Sequence, residues 1–205
     1  MAVKAAGPNP DNNSRLRAAI QNAKSFNMPK DRLDAAIKKA SSKDEKDLEI
    51  MTYEGYGPYG IAVLVETATD NPTRTVANIR MYFNKYGGSL GTSGAVEYLF
   101  EHKCNFRIRK TATIDPESLE LDLIDAGCEE LSVDGDEIII YGPFDSFGSM
   151  QQYFEAHEIE IIASGFDRIP TTTKKLTPEQ EEEVNKMLDK IEEDEDVQNV
   201  YSTIE

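Results

Sequence analysis

Residues 105–166, NFRIRKTATIDPESLELDLIDAGCEELSVDGDEIIIYGPFDSFGSMQQYFEAHEIEIIASGF, alternate strand and helix signals in one complete cycle. Strands are predicted at Asn105 to Arg109, Glu130 to Val133, Glu137 to Tyr141 and Glu158 to Phe166, where apolar residues alternate or run together between turn signals. Asp134-Gly135 joins the middle two, because the left-handed backbone of a tight hairpin turn suits that pair. Segments from Pro116 to Asp125, closed by Gly127, and from Phe144 to Ala156 carry helical spacing. The order strand, helix, strand, strand, helix, strand is the split βαβ arrangement of a ferredoxin-like α+β domain.

C-terminal to this block lies the sharpest local signal in the chain. Thr177 stands at an N-cap, Pro178 at the first helical position and Gln180 three residues after the cap, which together make a capping box. Val184, Met187, Leu188 and Ile191 follow as one apolar stripe, and Glu179 with Glu181 to Glu183 complements the helix dipole. The acidic run from Glu192 to Asp196 reads as a solvated turn before a last strand near Asn199 to Ser202. N-terminal to the block, strands are predicted at Leu48 to Tyr56 and Ile61 to Val65 around a turn at Gly57, Pro58 and Gly60. Asp70 or Asn71 then caps a helix from Pro72 with Val76, Ile79, Tyr82 and Phe83 inward, stopped by Gly87 and Gly88. A strand is expected again from Ala95 to Phe100. This middle unit has one helix too few, and the C-terminal helix and strand supply its missing half. The expected division is therefore 47–103 plus 174–205 for a middle α+β domain, with 104–173 inserted in it.

Residues 1–46 have a different character. The first 13, with Pro8, Pro10 and several Asp and Asn, read as a loop or frayed start. Asn13 or Ser14 caps a helix with Leu16, Ile20, Ala23 and Phe26 on its apolar face; Pro29 opens another with Leu33, Ala36, Ile37 and Ala40 inward. The polar stretch 41–47 is expected as a linker. The chain's net charge is −16, but residues 1–46 hold ten Lys or Arg against five Asp or Glu, a balance of +5 that leaves −21 for the remainder. So acidic a chain repels polyphosphate at long range, and any nucleic-acid contact needs local basic surface. Arg15, Arg17, Lys24, Lys30, Arg32, Lys38 and Lys39 provide it in the helical segment. Tyr53 and Tyr56, set among glycines in YEGYGPYG, could stack on bases, and Arg74 and Arg80 could add phosphate contacts.

Other chemistries have little material. Cys104 and Cys128, the two cysteines in the chain, match no metal spacing and are expected as reduced thiols, while the two histidines, His102 and His157, form no HExxH. Glycines 88, 91 and 94 in GGSLGTSG are followed by no GK[ST], so a nucleotide-binding P-loop is excluded and a tight connection expected. No apolar run is long enough to span a bilayer, and no secretory leader opens the sequence, so a cytoplasmic protein is expected.

TYEGYGPYGIAVLVETATDNPTRTVANIR (52–80) and FNKYGGSLGTSGAVEYLF (83–100) closely resemble the YebC family, described as transcriptional regulators and as mitochondrial translational activators of cytochrome oxidase. SRLRAAIQNAKSFNMPKDRLDAAIKKA (14–40) resembles that family's N-terminal domain, and EDEDVQNVY (193–201) its C-terminal strand. The resemblance implies a helical N-terminal domain and two α+β domains, the third inserted in the second. It also implies binding to nucleic acid, as DNA binding at promoters for some members and as ribosome-associated help during translation for others, and it brings neither catalytic residues nor a cofactor. The expected partners are DNA or ribosomal RNA, and the acidic surface fits ribosomal proteins as further ones, since these are basic. Family members begin with a further segment rich in Lys, Arg and His around a GHSKW-like start, so the chain is expected to be shortened or to bind with less charge than its relatives. The expected function is non-enzymatic regulation of gene expression. The alternatives are a metal-dependent hydrolase using clustered carboxylates and a small-molecule-binding ferredoxin-like protein.

Overall fold

In the computed structural model, which describes residues 2–42 and 47–205, helix α1 (Ala2–Ala6) stands where a frayed start was expected. An alanine-rich turn ends at Gly7, whose positive φ of 85° lets its amide return to Val3 O at 2.7 Å. Asn13 then holds the segment: its amide nitrogen donates to Ala2 O and Gly7 O, each at 2.8 Å. Its carbonyl oxygen caps α2 (Ser14–Ser25) by accepting from Leu16 N. Pro29 sits one place earlier than expected, as the N-cap of α3 (Lys30–Ala40). Phe26, expected inward, is 83% exposed, because it is the C-cap of α2 and Asn27 turns the chain away with φ 55°. Positions 43–46 of the expected linker lie outside the described residues.

The remaining elements are β1 (Glu49–Tyr56), β2 (Ala62–Thr69), α4 (Pro72–Lys85), β3 (Ser89–Leu90), β4 (Phe100–Arg109), α5 (Pro116–Ile124), β5 (Glu130–Asp134), β6 (Glu137–Pro143), α6 (Phe147–Ala156), β7 (Ile161–Pro170), α7 (Pro178–Glu192) and β8 (Val197–Ser202). The strands form two four-stranded sheets, β3-β1-β2-β8 and β5-β6-β4-β7. The fold is α+β, and the first sheet is completed only by the C-terminal strand, so the whole second sheet lies within its sequence. The chain clusters into two compact units, residues 1–45 with 102–167 and residues 46–101 with 168–205.

In the second sheet the order is that of the ferredoxin-like arrangement. The β5–β6 hairpin pairs Asp134 with Glu137 across Gly135, whose φ is 57°. Alternate residues Cys104, Phe106 and Ile108 of β4 and Ile138 and Ile140 of β6 face Leu119 and Leu123 of α5 and Met150 and Phe154 of α6 in one core. Strand β7 starts at Ile161 rather than at 158, because Glu158 takes φ 54° and belongs to the turn that ends α6.

The first sheet reaches a similar two-layer build by another route, with the β1–β2 hairpin at its centre. Val63 and Val65 point to one side, where Ile79 and Phe83 of α4 and Val184, Met187 and Ile191 of α7 cover them. The three α7 residues are fully buried, which contributes about 1.5–3 kcal/mol each. Ala62 and Leu64 point to the other side, against Val96 and Phe100. The strand expected at Ala95 to Phe100 is instead a 3-10 turn, Glu97–Leu99, running into β4. The physical cause is Glu54, which captures the amides of this stretch.

Candidate nucleic-acid interface

Glu54 is 3% exposed, and its carboxylate accepts from three backbone amides: Gly94 N at 2.6 Å, Val96 N at 2.7 Å and Glu97 N at 2.7 Å. Burial pushes its pKa up, but these bonds and the Arg168 charge outweigh it and leave the pKa lowered. Gly91 N also reaches Glu54 O at 2.7 Å. The glycine-rich loop therefore does form an anion nest, and the protein's own carboxylate fills it. Gly55 has a packing role too: a Cβ there would sit 2.6 Å from Ser89 O and 2.8 Å from Phe83 Cε1.

The two tyrosines singled out in this region are placed differently. Tyr53 is 9% exposed, with its ring in the core formed with Phe83 and Met187, so it offers no face to a base. Its hydroxyl has no hydrogen-bond partner among the described residues, and burial followed by the Asp196 charge raises its pKa. Tyr56 is 36% exposed and donates to Ala95 O at 3.3 Å. Tyr59 holds φ 60° in the turn and donates to Glu183.

Arg74 does not project freely. Its Nη2 lies 2.9 Å from both oxygens of Asp196 and 3.0 Å from Asp70 Oδ1. Asp196 is buried, and Thr75 Oγ1 sits 2.7 Å from its Oδ2 and 2.8 Å from Thr69 Oγ1. Burial raises the Asp196 pKa, while the bonds from Arg74, Thr75 and Thr69 pull it further the other way, leaving it lowered. Asp194 accepts from Asn78 Nδ2 and Tyr82 Oη, both at 3.0 Å. The acidic turn expected to be solvated is thus the latch of α4 onto the chain before β8. Arg80, further along α4, is exposed.

In the helical segment Arg15, Lys24, Lys30, Arg32, Lys38 and Lys39 are all exposed. Lys38 and Lys39 occupy the last turn of α3, where cations complement the helix dipole. Arg17 differs: its Nη1 donates to Pro10 O at 3.0 Å and Asp11 O at 2.9 Å, and its Nη2 lies 3.4 Å from Glu155 Oε1. A contact that the sequence reading missed is Asn22, which donates to Ser164 O at 2.6 Å and accepts from Ser164 N at 2.9 Å, as a strand would pair with β7. An asparagine in mid-helix with no capping duty was its one signal.

Both cysteines are free thiols, and burial pushes Cys104 up to about 11, far from a nucleophile's range. Among the described residues no group of three or more His, Cys, Asp or Glu could hold a metal ion. No helix among them is long and apolar enough to cross a membrane.

Residues 48–204 match the family model described as TACO1/YebC second and third domain, and residues 1–43 match the TACO1/YebC protein N-terminal domain. The chain belongs to the TACO1/YebC family. It is 59% identical over 204 residues to a probable transcriptional regulatory protein of Flavobacterium johnsoniae, covering 100% of this chain and 86% of that one. A protein of the same description from Parabacteroides distasonis is 56% identical over 201 residues, covering 98% and 83%. Among solved structures, a conserved hypothetical protein from Aquifex aeolicus superposes with a TM-score of 0.78 at 35% identity, covering 100% of this chain and 85% of that one.

Proposed function

We propose that this protein is a non-catalytic, nucleic-acid-binding regulator of gene expression that makes its main contact through α2 and α3. The observation that carries the reading is the exposure of Arg15, Lys24, Lys30, Arg32, Lys38 and Lys39 on a segment of charge +5 in a chain of net charge −16. A polyanion repelled by the whole chain is held only where cations lie within about 8 Å, the screening length at physiological salt. The regulatory role named for the relatives is in keeping with this. The acidic remainder suits basic protein partners, such as those of a ribosome, and disfavours non-specific DNA.

Labelled duplex DNA and purified ribosomes are the two probes that test it. Fluorescence anisotropy on the duplex and co-sedimentation with ribosomes, each across about 50–200 mM salt, report which target is held and how many cations hold it. Binding to either that weakens steeply with salt supports the reading. Binding to neither overturns it.

A further inference from the structure

We infer that the outer face of α4 is a second nucleic-acid contact surface, one that grips the phosphodiester backbone. The inference rests on the function proposed above and adds a surface on the first sheet's helix layer. Helix α4 runs through 14 residues, PTRTVANIRMYFNK, without one Asp or Glu, in a chain that has 38 of them. Its inner side is consumed by the core, through Thr75, Ile79 and Phe83. Helical spacing places Arg74, Ala77, Arg80, Met81, Asn84 and Lys85 together on the opposite side, and all six are exposed.

Five of these line a shallow depression of about 570 Å³: Ala77, Arg80, Met81, Asn84 and Lys85. Arg80 brings a planar guanidinium that matches phosphate oxygens two at a time. Lys85 holds its ammonium 5.4 Å from the centre of the Tyr86 ring, a contact that leaves its charge in place. Asn84 adds an uncharged donor between them. At the other end of the helix the carboxylates of Asp70 and Asp196 are already paired with Arg74. The cationic part of the face is thus its Arg80 and Lys85 half, on a helix that carries no carboxylate of its own, although its surroundings are acidic.

The charged and polar side chains of the face suit a polyanion better than a protein partner. A stable protein interface hides about 800 Å² on each side around an apolar centre. Here Met81, 52% exposed, is the one large apolar side chain lining the depression. A phosphate backbone needs no such centre, since cations and polar donors on a convex helix suffice to follow it.

The test uses the full chain, a mixed-sequence DNA duplex and a structured RNA as probes, and the slope of log affinity against log salt as readout. Arg80→Gln with Lys85→Gln should weaken binding to the preferred probe and flatten the slope, by about 0.9 for each cation removed if that probe is the DNA duplex. Arg80→Lys should retain most of the slope, and circular dichroism should show both variants folded. An unchanged slope and affinity in the double variant, while charge reversal on α2 and α3 abolishes binding, overturns this inference and leaves the proposed function standing. Weakened affinity with an unchanged slope also overturns it, since phosphates would not be what the face holds. Sedimentation showing a dimer in the parent and a monomer in the double variant would assign the face to a second, acidic copy of the chain instead. Failure of the parent protein to bind either probe removes the proposed function and this surface with it.

Discussion

The Arg74 guanidinium reaches Asp196 across 122 positions of sequence, with its Nη2 2.9 Å from both carboxylate oxygens. The pair joins the first turn of α4 to the turn ahead of β8, the last strand of the first sheet. It thereby fixes the two sequence segments of one folding unit to each other at the point where the C-terminal strand joins the sheet.

Removing the buried partner should therefore loosen that closure. Asp196→Ala leaves Thr75 and Arg74 without their acceptor and is expected to cost about 2–3 kcal/mol, since hydrogen bonds to charged groups carry that much. The sign of the acid response follows from the same carboxylate. Its pKa is lowered on folding, so its contribution is full above the unfolded value near 3.9 and is lost as pH falls through the lower folded value. Urea titrations of parent and variant between neutral pH and acid should converge at the acid end. A gap that persists unchanged would mean that the pair does not set the acid response.

Glu54 makes a second stability prediction. Replacing it by Gln keeps the shape but offers one acceptor oxygen and an NH2 group to three amides that now bond a carboxylate. The loss should be about 1–3 kcal/mol. Hydrogen exchange should quicken selectively at Gly94, Val96 and Glu97. Uniform quickening over the whole chain would point to global rather than local loosening.

We propose 104–173 as a separate inserted domain, and truncation tests that division. The core around Phe106, Ile138, Met150 and Phe154 draws all its buried members from residues 104–161. Excision of 104–173 with a flexible bridge should leave the first sheet and its helices folded, because a domain carries its own core. Deletion of 174–205 should instead unfold the first sheet, since it removes β8 and exposes Ile79, Phe83, Val63 and Val65. A protease-resistant fragment ending near Lys174 with a cooperative melt would contradict the insertion.

Much of this fold could be read in the sequence, because the decisive signals are local. The Thr177 and Gln180 capping box, the Asp134-Gly135 hairpin and the Asn71 cap each act within a few residues and appear as expected. That the C-terminal helix and strand complete the first sheet followed from counting helices and strands in the middle unit. What stayed hidden depends on partners distant in sequence. Arg74 reads as a surface cation until Asp196 is brought beside it, Tyr53 as a stacking ring until α4 and α7 cover it. The 3-10 turn at Glu97–Leu99 replaces a strand because Glu54, 40 or more residues upstream, takes its amides. Asn22 and Ser164 are 142 positions apart, beyond any local pattern. The exposed cations of α2 and α3 were legible because they fall off the apolar stripes of their helices, whereas the distant contact of Arg17 with Glu155 was not.

If α2 and α3 hold nucleic acid through their exposed cations, reversing those charges should end the association. Arg15, Lys30, Arg32, Lys38 and Lys39 are changed together to Glu, with Arg17 left alone because it braces Pro10, Asp11 and Glu155. The melting temperature should move little, as exposed charges contribute little to stability. Association with the duplex or the ribosome should fall below detection at about 150 mM salt, where the parent's steep salt dependence still leaves binding measurable. A variant that folds and binds as the parent does, at every salt concentration, would contradict the account.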